Sequence, residues 1–151
     1  MDLRSRLNAY SRRFAEQLFA VYPSWEELAV VEAWPNADSG SFLVEIPSPA
    51  APDQRLWVGT DGGEITVGFG DAGWHEHFGA WTGDDEANSF REALEEVRGI
   101  LAGTRRVAVG YSKGVASVSQ VYDADDGPRL DDVERVEQYS WPAGRIRARA
   151  T

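Results

Sequence analysis

The first 22 residues carry apolar side chains at intervals of three and four, and four arginines fall off this stripe. Residues three and four apart share one face of a helix, so the pattern predicts an amphipathic helix that ends before Pro23. The stripe consists of Leu3, Leu7, Tyr10, Phe14, Leu18 and Tyr22. Ser24 and Glu27 have capping-box spacing and predict a short helical turn, whereas "LAVVEAW" after them fits either a helix or a strand.

From Ser41 onward the apolar positions alternate with a period of two, which is typical of strands. The predicted strands read "SFLVEIP", "RLWVGT", "EITVGFG" and "WHEHF". "TDGGE" predicts a tight turn, since either Asp61-Gly62 or Gly62-Gly63 tolerates positive φ there. "DAG" predicts a second turn before "WHEHF". Together these segments predict an antiparallel meander.

Helical spacing returns in "DDEANSFREALEEVRGILAG", where acidic residues crowd the start and Gly103 occupies the position of a C-terminal cap. One apolar face is formed by Ala87, Phe90, Leu94, Val97 and Leu101. We therefore expect a second helix near residues 86–102.

The remainder of the chain predicts strands again. "RRVAVGYS" and "GVASVSQVY" flank Lys113-Gly114 as a hairpin, and "VERVEQYSW" and "RIRARA" follow an acidic loop. No repeat or linker divides the chain, so one globular domain over 1–151 is expected. The fold class predicted is α+β: a mostly antiparallel sheet of about six to eight strands, built as a meander plus hairpins and covered by the two helices.

Composition narrows the class of protein. The chain has 151 residues, 42% of them hydrophobic, and no cysteine, which excludes disulfides and thiolate metal sites. It carries no stretch that resembles a signal peptide or a membrane span of roughly 20 apolar residues. These features predict a cytoplasmic protein.

The formal net charge of −10 is unevenly distributed. Residues 1–15 and 141–151 each carry +3, which leaves −16 for residues 16–140. Such a field repels nucleic acid and anionic membranes and speeds encounter with a basic partner. Solubility alone is the other explanation of an acidic surface.

Two short motifs resemble functional sites but have simpler explanations. "GYSKG" at residues 110–114 matches the nucleophile elbow of hydrolases, yet both histidines precede Ser112 and a strand pattern follows it. We interpret it as a hairpin turn. "DADDG" at residues 123–127 resembles a calcium loop, with Glu134 at the twelfth position, but its glycine comes one residue early and a proline follows. We interpret it as an acidic loop.

"GWHEHFGAW" at residues 73–81 holds both histidines of the chain. In a strand, His75 and His77 point to one face, where a carboxylate such as Glu64 on a neighbouring strand would have to complete a metal site. One alternative places the imidazoles on a half-solvated sheet face while Trp74 and Phe78 reach the core or a helix. The other is a recognition surface in which aromatic anchors have an acidic rim. We expect no metal or other cofactor and no catalytic set. The predicted partner-binding residues are Trp74, His75, Glu76, His77, Phe78, Trp81, Asp84, Asp85 and Glu86.

A basic amphipathic helix, then "LWVGTDGGEITVGFGDAGWHEHF", a helix and hairpins give the chain a familiar layout. In this layout it resembles the small acidic α+β immunity proteins of bacterial polymorphic toxin systems. The resemblance transfers no functional residue. It implies a toxin inhibitor that acts by protein-protein interaction with a cognate basic toxin domain, and its oligomeric state stays open. The alternatives are a metal-dependent enzyme using His75 and His77 with Glu64 or Asp71, and a scaffold or regulatory domain that binds another basic protein or a small ligand on the sheet.

Overall fold

The computed structural model describes residues 2–70, 74–79 and 85–150, with no account of the side chains of 147–150. Its helices are α1 (Leu3–Arg6), α2 (Ala9–Val21), the 3-10 helix η1 (Pro23–Leu28) and α3 (Glu86–Ala102). Its strands are β1 (Val30–Val31), β2 (Phe42–Pro47), β3 (Arg55–Asp61), β4 (Glu64–Phe69), β5 (Trp74–Gly79), β6 (Arg105–Ser112), β7 (Val115–Asp123), β8 (Arg135–Ser140) and β9 (Gly144–Ala150). The predicted "DAG" turn lies outside the described residues.

The strands confirm the predicted α+β class with antiparallel pairing. Within the described residues they form two sheets, with strand orders β1-β2-β3-β4-β5 and β7-β6-β8-β9, and not the one sheet of six to eight strands that we expected. The reason is local pairing. Helix α3 interrupts the run of strands, and the strands after it pair with one another.

The chain divides into two compact units. Unit 1 comprises Met1–Ile46, Trp57–Val67 and Glu76–Glu95, and unit 2 comprises Pro47–Leu56, Gly68–His75 and Glu96–Thr151. The single domain expected over 1–151 stays a prediction.

The N-terminal helix predicted from the apolar stripe is divided at Asn8. Its Oδ1 accepts a hydrogen bond of 2.9 Å from the backbone N–H of Ser11 and so caps α2. Its own N–H donates to the carbonyl of Gly40 at 3.0 Å. Gly40 has φ +74°, and a Cβ there would lie 2.3 Å from the Asn8 nitrogen, so only glycine permits this approach.

The segment after α2 agrees with the prediction in outline. A short helical turn is present as η1, but it begins at Pro23 and has no side-chain cap, so the capping box at Ser24 and Glu27 was wrong. The undecided "LAVVEAW" contains the two-residue strand β1, in which Val30 pairs with Leu43 and Val31 with Phe42.

The core of unit 1 is aromatic. Phe42 on β2 packs against Phe14 and Phe19 of α2, with ring centroids 6.3 and 5.8 Å apart. Phe90 of α3 lies 5.3 Å from Phe14 and 5.4 Å from Tyr10. Aromatic pairs at such separations add to the free energy gained by burial. Both predicted helices therefore contribute to one apolar layer.

In unit 2 the predicted hairpin is confirmed. Lys113 and Gly114 have φ of 53° and 74° and connect β6 to β7. This pair of positive φ angles is the turn that suits a two-residue hairpin. The β6–β7 register shifts between Gly110 and Tyr111, which leaves Ser117 as the extra residue of a bulge. Strand β7 lies at one edge of its sheet and β9 at the other.

The acidic loop after β7 is held by ordinary contacts. Asp123 pairs with Arg105 at 3.1 Å, and Glu134 accepts a hydrogen bond from the N–H of Lys113. Within the part of the chain that the structure describes, no three His, Cys, Asp or Glu side chains are arranged to hold a metal ion. None of the described helices combines the length and apolarity needed to cross a membrane.

We predict that Asn8→Ala lowers the free energy of unfolding by about 1–2 kcal/mol, because α2 loses its cap. The variant also loses the hydrogen bond that Asn8 Nδ2 donates to the carbonyl of Ser39. Urea unfolding followed by circular dichroism measures the change. Asn88→Ala is the matched control, since Asn88 accepts only an exposed bond from Arg91 within α3, and we expect it to change stability by less than about 0.5 kcal/mol. Equal effects of the two substitutions would contradict the assignment of the cap.

Candidate functional site

The predicted partner-binding segment is only partly exposed. Trp74 and Phe78 on β5 are buried, which agrees with the alternative in which they reach the core, and their role in partner binding stays a prediction. His75 and Glu76 are exposed, and His77 is half-buried. Trp81 and Asp84 lie outside the described residues.

The two remaining acids of that segment are exposed at the start of α3. Asp85 Oδ1 accepts a hydrogen bond of 2.8 Å from the N–H of Asn88 and so stabilises the first turn of the helix. Glu86 forms an ion pair with Arg13 of α2 at 2.6 Å. Both acids thus have structural partners, and their role in partner binding stays a prediction.

His77 is held by a neighbouring strand, as the sequence suggested. Its Nδ1 lies 3.1 Å from Oε1 of Glu64 and 3.0 Å from Oγ1 of Thr66, both on β4. When Nδ1 carries the proton, it donates to the Glu64 carboxylate and Nε2 keeps the lone pair. This arrangement orients an imidazole, and it is the place where the enzyme alternative would reside. Asp71, the other proposed carboxylate, lies outside the described residues.

Tyr10 lies close to the same acids. Burial, followed by the charges of Glu86 and Glu64, raises the pKa of Tyr10 to about 12. Its hydroxyl is buried and has no hydrogen-bond partner among the described atoms. The phenol therefore stays neutral at physiological pH, and its ring serves the aromatic core.

The net charge belongs to one unit alone. Unit 1 contains fifteen acidic residues and five arginines, a net charge of −10, whereas unit 2 contains ten acidic and ten basic residues, a net charge of 0. Two of the four N-terminal arginines have acidic partners, because Arg4 pairs with Glu26 at 2.9 Å and Arg13 with Glu86. The sequence indicated an acidic body with basic ends. In the structure, the net negative charge lies in unit 1, and unit 2 carries no net charge.

Unit 1 also exposes apolar side chains that sequence analysis missed. Val21, Leu28 and Val30 are 48%, 50% and 55% exposed, and the chain places all three within ten residues. The exposed acids Glu27 and Glu32 flank Leu28 and Val30 in sequence. We call these five residues the α2–β1 patch. These exposed apolar residues, close together in sequence and accompanied by exposed acids, are a candidate interaction surface.

The backbone beside this patch is strained. Glu32 and Asn36 have φ of 56° and 63°, a region that costs a glutamate of the order of 1 kcal/mol. The N–H of Glu32 donates to the carbonyl of Ser41 at 2.9 Å, which holds the turn in place. The conformation fixes where the Glu32 side chain leaves the backbone, next to Val30.

Unit 2 contains a cavity of about 130 Å³. It is lined by Gln54, Phe69, Gly70, Val107, Val109, Tyr111 and Tyr139. Val107, Val109 and Tyr111 alternate along β6 and so project from one face. Tyr139 pairs with Val107 across β6 and β8, which places its ring on that same face.

Glu137 lies beside this cavity and organises a polar network. It accepts hydrogen bonds of 2.5 Å from the hydroxyl of Tyr139 and 2.7 Å from Arg145, and Arg135 lies 3.6 Å away. The hydrogen bond from Tyr139, with further help from Tyr111 and the two arginines, lowers the pKa of Glu137 although burial opposes this. Burial and the same carboxylate raise the pKa of Tyr139. The guanidinium of Arg135 sits 4.3 Å from the centre of the Tyr111 ring.

We predict that Glu137→Gln destabilises the protein at pH 7 and much less at pH 3. A carboxyl group with a lowered pKa in the folded state stabilises folding above its ordinary pKa of about 4.5, and this contribution fades as the pH falls through the folded-state value. The expected loss at pH 7 is about 2 kcal/mol, measured by urea unfolding at both pH values. Glu95→Gln on the exposed face of α3 is the control and should change little at either pH. A loss for Glu137→Gln that is independent of pH would contradict the charged network.

No protein-family model, curated protein sequence or solved structure matches this chain.

Proposed function

We propose that this chain is a binding protein that neutralises a basic protein partner, in the manner of an immunity protein acting on a cognate toxin domain. The observation that carries the proposal is the concentration of the entire net charge of −10 in unit 1. A surface of one sign raises the rate of encounter with a partner of the opposite sign and disfavours partners of like sign.

The α2–β1 patch supports a contact on the same unit. Charge steers association, but the lifetime of a complex depends more on apolar groups that become fully desolvated at the centre of the interface. Val21, Leu28 and Val30 are half exposed already, so covering them removes apolar surface from water at little cost in rearrangement. Glu27 and Glu32 would then meet lysine or arginine side chains at the rim.

If the neighbouring gene encodes a basic toxin domain, that domain is the partner to test first. Mixing the two purified proteins should give co-elution and loss of the toxin activity. We expect Glu27→Gln/Glu32→Gln to slow association about 3- to 10-fold at low salt, measured by stopped-flow fluorescence, because the steering field weakens. Raising the salt from 0.05 to 0.5 M should abolish this difference.

Asp125→Asn/Asp126→Asn is the matched control for charge, since it removes two exposed acids from unit 2. This control should alter the association rate less than 2-fold. Equal slowing by the two double variants would show that net charge acts without regard to the unit. If the two proteins do not co-elute and the chain does not protect against the toxin, the proposal is wrong for that partner.

A second pair of variants tests the apolar contact. Leu28→Ser/Val30→Ser should raise the dissociation rate at least 10-fold, because about 1.5 kcal/mol or more of apolar burial is lost at the interface. Val115→Ser/Val118→Ser changes two exposed valines of unit 2 in the same way and should leave dissociation unchanged. Surface plasmon resonance measures both rates. If the control pair weakens the complex as much, the contact surface lies elsewhere.

A further inference from the structure

We propose that the cavity of unit 2 is a binding site for a small, neutral ring compound that carries an O–H or N–H donor. This site is separate in chemistry from the charged surface of unit 1, and the proposal does not depend on the proposed function. It rests on the size of the cavity, its apolar floor and the way in which its polar groups are already engaged.

Size and floor favour a single ring. Phe69, Val107 and Val109 are almost fully buried and form an apolar floor. A cavity of about 130 Å³ is close to the roughly 150 Å³ of an apolar protein cavity that accepts benzene. An apolar ring that enters leaves water for an apolar environment, which favours binding.

The polar rim favours a donor on that ring. The hydroxyl of Tyr139 donates its proton to Glu137, and Tyr111 also helps to lower the pKa of this carboxylate. Each phenolic oxygen that has donated its proton keeps lone pairs and acts as an acceptor. A ligand that offers an O–H or N–H at the rim therefore finds acceptors there, whereas a ligand that can only accept hydrogen bonds finds fewer partners.

Charge at the rim is already balanced. Glu137 is the nearest carboxylate of this network, and Arg145 and Arg135 lie 2.7 and 3.6 Å from it. Arg135 also covers one face of the Tyr111 ring. A charged ligand would lose its hydration without gaining an opposite charge that is uncommitted within this network, so a neutral ligand is favoured.

Gly70 helps to keep the site open. Its φ is +86°, and a Cβ at this position would lie 2.7 Å from Oε1 of Gln54, which also lines the cavity. A side chain here would push the Gln54 amide out of its place at the rim. The absence of a side chain at Gly70 therefore leaves room for both Gln54 and a ligand.

Phenol and toluene are the probes, because they have the same size and differ in the donor. Titration of the purified full chain, followed by ¹H–¹⁵N NMR, should show phenol binding with a Kd of the order of 1 mM and shifts centred on Val107, Val109 and Gly70. Toluene should bind at least 5-fold more weakly, and benzoate more weakly still. No saturable shifts with phenol, or shifts outside the cavity lining, would overturn the proposal.

Two variants localise the effect. Tyr111→Phe keeps the ring and removes an acceptor, so phenol should bind about 5-fold more weakly while toluene is unchanged. Val109→Met fills the cavity and should weaken both probes at least 5-fold, with circular dichroism used to confirm that the variant is folded. If Val109→Met does not fold, Val107→Ile provides a smaller filling of the same floor. Unchanged affinity for phenol in a folded filling variant would overturn the proposal.

Discussion

The packing of Phe42 against helix α2 is the contact on which the rest of unit 1 depends. Phe14 and Phe19 turn inward to meet it, whereas Val21, the last residue of α2, is 48% exposed. The same constraint acts through the sheet. Val31 pairs with Phe42, and Val30 therefore lies on the opposite face, next to Leu43. The buried ring of Phe42 thus fixes the inward face of these strands and leaves Val30 on the outward face.

Electrostatic repulsion works against this packing. A unit with fifteen acids and five arginines repels itself, and the ion pairs of Arg4 with Glu26 and Arg13 with Glu86 offset only part of this effect because they are half exposed. Both pairs connect elements that are distant in the chain, so they also hold α1 to η1 and α2 to α3. Unit 2 has no net charge to overcome, and its charged groups converge instead on the buried Glu137.

Local patterns predicted the elements well and the long-range pairing poorly. Alternation located the strands, and the apolar face and Gly103 located α3, because these signals depend on neighbours in sequence. The break at Asn8 escaped prediction because the apolar stripe continues through it, while the cap depends on a contact with Gly40. The division into two sheets also escaped, since alternation does not specify which strands pair.

The candidate site shows the same limit. Glu64 was placed correctly beside His77, because adjacent strands of a meander are neighbours in space. Trp74 and Phe78 were predicted to bind a partner, with burial in the core as the alternative, because period two alone does not say which face is covered. The cavity brings Gln54 and Phe69 to β6 and β8, and no spacing in the sequence predicts that these residues lie together.

The bulge at Ser117 affects how the protein resists aggregation at high concentration. Strand β7 is nine residues long, lies at a sheet edge and has no charged side chain between Lys113 and Asp123. Such an edge invites other chains to add to the sheet and seed fibrils. The extra residue shifts the hydrogen-bonding register of an incoming strand after a few hydrogen bonds, so the bulge opposes amyloid growth at this edge.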